Sequence, residues 1–176
     1  KTLAAARFPA LDEFKSEINP AAEALVVALG RRMTGGAALF IDYGFPASEY
    51  YHPQRHTGTL MCHYRHRAHD DPFLMPGLTD ITAHVDFSAL ARAATDGGLE
   101  VLGYASQAQF LINCGITDLL AAEDPADAKR YLPAAAAAQK LLSPAEMGEL
   151  FKVLAVGRGI EAPLLGFSSG DRSHAL

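Results

Sequence analysis

No apolar run approaches the ~18–20 residues that a bilayer-crossing helix requires, so the sequence offers no membrane span. Cysteine is scarce. The two present, Cys62 and Cys114, make no disulfide framework, and both read as reduced core thiols among apolar neighbours. H-E-x-x-H and paired C-x-x-C motifs are missing, which leaves zinc without its usual sequence signature. The G-x-S-x-G elbow is missing too, so a serine hydrolase has no support. There is no excess of positive charge; the net charge of −5 gives no global reason to bind nucleic acid or an acidic membrane. The first residues carry no signal-peptide pattern. The chain starts at Lys1 and not at methionine, so an upstream part is expected, in a cytoplasmic protein.

What is present is a globular composition. Hydrophobic residues make up 49% of the 176, enough for the core of one domain. The stretch from Gly35 to Gly44 organises the rest: a Gly pair, a short apolar run, then Asp42-Tyr43-Gly44. It predicts a buried strand over 37–43 that delivers polar groups at its carboxyl end, where open α/β sheets bind ligands. Upstream, Asn19-Pro20 predicts a helix start, with Ala22, Leu25, Val26, Leu29 and Met33 on one face. Downstream come a polar loop over 44–58, a strand near 59–65 and a helix capped by Asp86 and closed by Gly97-Gly98. A strand over 99–105 and a short helix capped by Ser106 follow. A helix from Asp124-Pro125 should break or kink at Pro133. Ser143-Pro144-Ala145-Glu146 reads as a capping box, and 151–156 as the last strand.

Three constellations are candidates for chemistry. Gly157-Arg-Gly159-Ile-Glu-Ala162 fits G-x-G-x-x-A, but Pro163 follows at once, so a strand end and turn is preferred. The second is five histidines, His52, His56, His63, His66 and His69, interspersed with Arg55, Arg65 and Arg67. Positive charge here opposes a metal cation, and a substrate-side polar segment is preferred. No acid occurs between Glu49 and Asp70, and Tyr50, Tyr51 and Tyr64 lie in the same stretch. Single-stranded nucleic acid is therefore an alternative ligand, and an anionic group on a protein or cofactor is as plausible. The third is Asp80-Ile-Thr82-Ala-His84-Val-Asp86. If extended, it places Asp80, Thr82, His84 and Asp86 on one face, able to supply a general base and guanidinium-binding groups. Helix capping by Asp86 and a core-bonded His84 are the structural alternatives.

Gly36-Ala-Ala-Leu-Phe-Ile-Asp42-Tyr43-Gly44, Thr59-Leu60, His63-Tyr64-Arg-His66, Pro76-Gly77-Leu-Thr-Asp80-Ile-Thr82-Ala-His84-Val85-Asp86-Phe87, Gln109-Phe110-Leu111 and Met147-Gly148-Glu-Leu-Phe151-Lys152-Val153 together resemble one family. It is the MidA family of S-adenosyl-L-methionine (SAM)-dependent methyltransferases, which includes a mitochondrial complex I assembly factor. The resemblance implies an α/β, Rossmann-like class I methyltransferase fold. Residues 37–43, 99–105 and 151–156 would be the fifth, sixth and seventh strands, the last antiparallel, with insertions. The first four strands and the glycine-rich turn that holds SAM would lie upstream of Lys1. Residues 1–176 would then be the C-terminal part of a single domain, inactive by itself. The implied activity is SAM-dependent protein arginine methylation of a partner such as a respiratory-complex subunit, in a bacterial cytoplasm or a mitochondrion. Asp42, His84 and Asp86 would be catalytic. Tyr43, Gly44, Tyr51, Arg55, His63, Asp80 and Thr82 would bind substrate, and no metal is implied. A non-catalytic scaffold keeping the fold and binding a partner through residues 44–71 is the alternative from another class. RNA methylation or RNA binding is the third.

Overall fold

The computed structural model describes residues 7–11 and 13–176. Helix α1 (Pro20–Arg32) starts where Asn19 Oδ1 accepts a hydrogen bond from the Ala22 N–H at 3.1 Å. Proline at its first position costs nothing, because that N–H would have no helical partner. Strand β1 (Gly36–Phe45) follows, then the one-turn α2 (Ala47–Tyr50) and a 3₁₀ turn at Pro53–Arg55. Three short strands, β2 (Met61–Tyr64), β3 (Arg67–His69) and β4 (Asp80–Thr82), form a separate antiparallel sheet in the order β3-β2-β4. The chain returns through β5 (Val85–Asp86) into α3 (Phe87–Asp96), with Asp86 Oδ1 accepting from the Ala89 N–H at 2.9 Å. Then come β6 (Glu100–Ser106), the helices α4 (Gln107–Asn113), α5 (Ile116–Ala121) and α6 (Ala128–Leu142), and β7 (Phe151–Arg158).

The main sheet runs β5-β1-β7-β6. Strand β7 is antiparallel to both neighbours, pairing Gly36↔Arg158 through Tyr43↔Phe151 on one side and Glu100↔Gly157 through Ser106↔Lys152 on the other. β1 and β6 are therefore mutually parallel, as expected of the fifth and sixth strands with an antiparallel seventh between them. One face carries Phe40, Tyr104, Leu154 and Val156 against Val26 of α1 and Phe87 and Leu90 of α3. The other carries Ala105, Val153 and Ala155 under Phe110, Leu164 and Phe167.

Strand β1 is covered on one face only among the described residues. Its even-numbered residues pack inward, but Leu39 is 49% and Ile41 51% exposed. The cause is position. β1 is bonded along most of its length to β7, while on its other side only Gly44 and Phe45 meet β5. The Phe110–Phe167 layer covers β6 and β7 and stops short of β1. Leu25, expected on the packed face of α1, is also exposed and borders the same hollow as Leu39 and Ile41. The three form one bare apolar patch.

Other local expectations also change. Cys62 is buried, but Cys114 caps the end of α4 in solvent. Helix α6 begins at Ala128, not at Asp124-Pro125, and runs unbroken through Pro133. The proline removes a single i→i−4 bond there, and the alanine run beyond it carries the helix on. Ser143 opens a turn instead of a helix. Its carbonyl accepts from Glu146 N at 3.1 Å and Gly148 N at 2.9 Å, with β7 only a few residues away. Gly157-Arg-Gly159 is the end of β7 and a left-handed turn at Gly159, with no helix after it.

Two outcomes follow from β1. A Cβ on Gly44 would lie 2.2 Å from the Val85 carbonyl oxygen and 2.9 Å from the Phe87 ring. Gly44→Ala therefore pries β5 from β1, costs about 2–3 kcal/mol and lowers the thermal midpoint by about 4–12 °C. The chain taken alone exposes the half-paired edge of β1 and self-associates, and Ile41→Lys reduces that association in light scattering. A monodisperse wild-type sample overturns the second expectation.

Candidate functional site

The segment between β1 and β5 is an excursion of the sheet, and its two ends are tied together by polar contacts. Glu17 accepts from the N–H of Thr59 at 3.0 Å and of Leu60 at 3.1 Å, and from the Thr59 hydroxyl at 3.0 Å. The Thr59 hydroxyl in turn accepts from the His84 N–H at 3.0 Å. The Tyr50 hydroxyl donates to the His84 carbonyl at 3.0 Å, and burial pushes its pKa up to about 12, so it stays a donor. The loop start, the loop return and α2 are thereby held at the carboxyl end of β1.

Between this tie and the small sheet lies a cavity of about 760 Å³. Tyr43, Thr59, His63, Asp80, Thr82 and His84 line it. The alternation read from the sequence is responsible. Asp80 and Thr82 share a face of β4, and His84 continues it beyond the strand. His63 sits directly across from Asp80 in the β2–β4 pairing.

His84 is the most constrained of these groups. Its ring stacks on Phe45 at 5.2 Å and 16° and meets the edge of Tyr43 at 5.1 Å. The far face of Phe45 carries the Arg55 guanidinium, 3.9 Å from the ring centroid. Burial lowers the His84 pKa below its ordinary value, and the Arg55 charge lowers it further, against smaller raising effects from Glu17 and Asp42. The imidazole is neutral at pH 7. Its Nδ1 is buried with no partner among the described residues.

Five of the ten residues given site roles from sequence therefore converge: Tyr43, His63, Asp80, Thr82 and His84. Five do not enter the cavity. Asp42 accepts from the Tyr43 N–H at 2.8 Å and borders the hollow beside the β1 edge, reaching the cavity through its charge on His84. Asp86 is taken up by capping α3 and by accepting from the Tyr51 hydroxyl at 3.0 Å. That contact also accounts for Tyr51, which is buried. Gly44 serves the β1–β5 contact, and Arg55 acts through Phe45. Sequence reasoning missed Glu17, Thr59 and Phe45. Glu17 sits in a segment without periodicity, and no local pattern announces a carboxylate whose partners are more than forty residues away.

The hairpin between β2 and β3 turns through Arg65 and His66, at φ of 47° and 63°. Two left-handed residues in a two-residue loop make a type I′ turn, which Asn-Gly satisfies without strain. Here both residues carry full side chains, at a cost of about 1–3 kcal/mol each. Both line the cavity.

No group of three or more His, Cys, Asp or Glu side chains converges on a metal-sized site among the described residues. The SAM cradle implied by the resemblance also does not fit here. β1 leads into Phe45-Pro46 and the four-residue α2, with no glycine turn opening a long helix, and Gly44 is already occupied by the approach of Val85. No cofactor contact is assigned to these residues.

Residues 2–105 match the family described as "Putative S-adenosyl-L-methionine-dependent methyltransferase". Among curated proteins, the mouse protein arginine methyltransferase NDUFAF7, mitochondrial, is 37% identical over 147 residues, which are 80% of this chain and 31% of that protein. The human NDUFAF7 is 35% identical over the same shares. A crystal structure of a Burkholderia thailandensis protein bound to S-adenosyl-homocysteine superposes with a TM-score of 0.94 at 57% identity, covering 100% of this chain and 46% of that one. The chain thus spans about a third of these curated relatives and about half of the bacterial one. With the class I strand order and the residue match in agreement, the chain belongs to this family of S-adenosyl-L-methionine-dependent methyltransferases.

Proposed function

We propose that this chain forms the acceptor side of a SAM-dependent methyltransferase that modifies an arginine side chain of a protein, and that the cavity receives the guanidinium. The observation that carries the reading is a neutral His84 held between two aromatic rings in the same cavity as the Asp80 carboxylate. The names of the mouse and human relatives support arginine and a protein substrate.

The chemistry divides among the residues. Asp80 takes the guanidinium through charge-assisted hydrogen bonds, and the Tyr43 ring supplies a face for its plane. SAM supplies the methyl group. With SAM held by residues outside this cavity, a guanidine nitrogen would form the new N–C bond as the methyl–sulfur bond breaks and S-adenosyl-homocysteine leaves, and it would give up one N–H proton to His84 Nε2. Arginine's pKa lies roughly 7 units above even an ordinary imidazole, so deprotonation in advance would cost on the order of 10 kcal/mol. The proton therefore leaves with or after N–C bond formation, when the nitrogen is more acidic. His84 serves as the sink that completes the step.

The same reading treats residues 1–176 as the C-terminal part of one domain, with the cofactor-binding strands pairing upstream against β1. The unpaired side of β1 from Gly36 to Tyr43 among the described residues supports it, as does the 46% coverage of the bacterial relative. The 57% identity to that relative supports a bacterial source, and a bacterial cytoplasm is the setting this reading takes.

Mass spectrometry of partner proteins incubated with the full-length protein and labelled SAM tests the activity, and methylarginine is expected. His84→Gln lowers kcat about 10²–10³-fold with S-adenosyl-homocysteine binding unchanged; an unaffected kcat removes the base role. Asp80→Asn raises KM about 10-fold, the loss of one charge-assisted bond. The rate requires unprotonated His84, whose pKa is lowered in the fold. Activity is thus flat at neutral pH and falls only below the ordinary histidine value. Arg55→Gln removes a charge that opposes protonation, so the acid limb of the pH profile moves to higher pH. A limb that stays in place excludes His84 as its origin.

A further inference from the structure

The cavity sorts its charges. The Asp80 carboxylate lies across from His63 on the small sheet, and the Arg65–His66 turn closes the same sheet at its tip. Among the described residues no ion pair uses Arg65 or Arg67. Arg65 is exposed and rests over its neighbour's ring, 5.4 Å from the Tyr64 centroid. The turn is strained at both residues although Asn-Gly would relax it, and strain of this kind concentrates where a side chain must be presented. The cavity rim is also apolar, with Leu78 68% and Met61 43% exposed, one on each side of the His63–Asp80 pair. The result is an acidic group between two apolar side chains, with a basic tip at the end of the small sheet.

Building on the reading of the cavity as a guanidinium site, we propose that the Arg65–His66 tip is an acid-reading lip. It selects protein segments that carry a carboxylate two residues from the side chain entering the cavity, with apolar residues on the flanks lying on Leu78 and Met61. The spacing follows from strand geometry. Position 63, opposite Asp80, and position 65 are two residues apart, about 7 Å along an extended chain. An extended peptide laid across the cavity has the same rise. It therefore brings side chains two positions apart to Asp80 and Arg65 together, on the same face. A carboxylate there meets a guanidinium free to bind it in fork geometry. A wrong-sign or neutral flank leaves that contact unmade.

The test uses two nonapeptides with the full-length protein: Gly-Leu-Glu-Gly-Arg-Gly-Glu-Leu-Gly, and the same peptide with both Glu changed to Gln. Fluorescence anisotropy should show the Glu peptide binding the wild type about 10-fold tighter at low salt, with the preference shrinking as salt is added. The double variant Arg65→Asn with His66→Gly should bring the ratio to about 1 and raise the thermal midpoint by a few degrees, since it relaxes the turn. The lip is overturned by a wild type with no preference, by a double variant that keeps it, or by a double variant with a lowered midpoint, which would mark the tip as structural. A second pair of peptides, with alanine in place of the arginine, separates this idea from the arginine reading. A Glu preference that persists there while no peptide becomes methylated upholds the lip and removes arginine as the substrate. Methylation of the Glu and Gln arginine peptides with equal KM upholds arginine and removes the lip.

Discussion

Glu17 is the tie on which the cavity depends. The excursion leaves β1 and comes back to its side at β5, and between those points it makes no ladder contact with the main sheet. Near the mouth, one carboxylate accepting two backbone N–H groups and a hydroxyl ties its two ends together. Such charge-assisted bonds are roughly twice as strong as neutral ones, and these donors have no alternative partner in a strand or helix. Thr59 relays the constraint to the His84 backbone, and Tyr50 seals the other side of that residue. The path is tight enough that a Cβ on Gly58 would lie 2.4 Å from the Glu17 carboxylate. Without this tie β2, β3 and β4 would be a loosely tethered ribbon, and His84 would have no defined height above Tyr43.

The small sheet then does what the large one does not, which is to face its polar alternation inward. On β4 the residues that point to solvent in an ordinary edge strand, Asp80 and Thr82, point into the cavity, while Ile81 is exposed on the opposite side. His84, enclosed by Phe45 and Tyr43 and opposed by Arg55, loses affinity for protons. His63, across from Asp80, lies on the open side of the sheet. The main sheet holds a second charged group away from water: Lys152, on β7, is 4% exposed and bonds to the carbonyl and carboxylate of Glu149, the latter shared with Arg172 at 2.7 Å. That network braces the sheet at the same end as the cavity, and its charge is already compensated.

Most of the secondary structure was legible because it rests on short-range rules. Asn19-Pro20, Asp86 and Ser106 start helices where a capping oxygen can reach an N–H three residues on. The alternation over 80–84 was legible for the same reason, since two-residue periodicity assigns faces before anything is packed. The fate of a side chain was less legible where it depends on distant neighbours. Leu39, Ile41 and Leu25 look like core residues by composition, and only their place beside an incompletely paired strand exposes them. Asp86 sits in phase with His84 yet turns away, because the helix it caps competes for the same carboxylate.

What the sequence by itself determined is therefore local: the strand that ends in Asp42-Tyr43-Gly44, the capped helices around it, and a row of polar side chains in phase from Asp80 to His84. The match of these motifs to a methyltransferase family also needed no coordinates. What only the tertiary structure decided is which of those groups meet. Glu17 and Thr59, or Tyr43 and His84, are joined by contacts spanning some forty positions. No periodicity reaches that far, so the closure of the excursion, the neutral state of His84 and the basic tip beyond an acidic group appear only once the chain has folded back on itself.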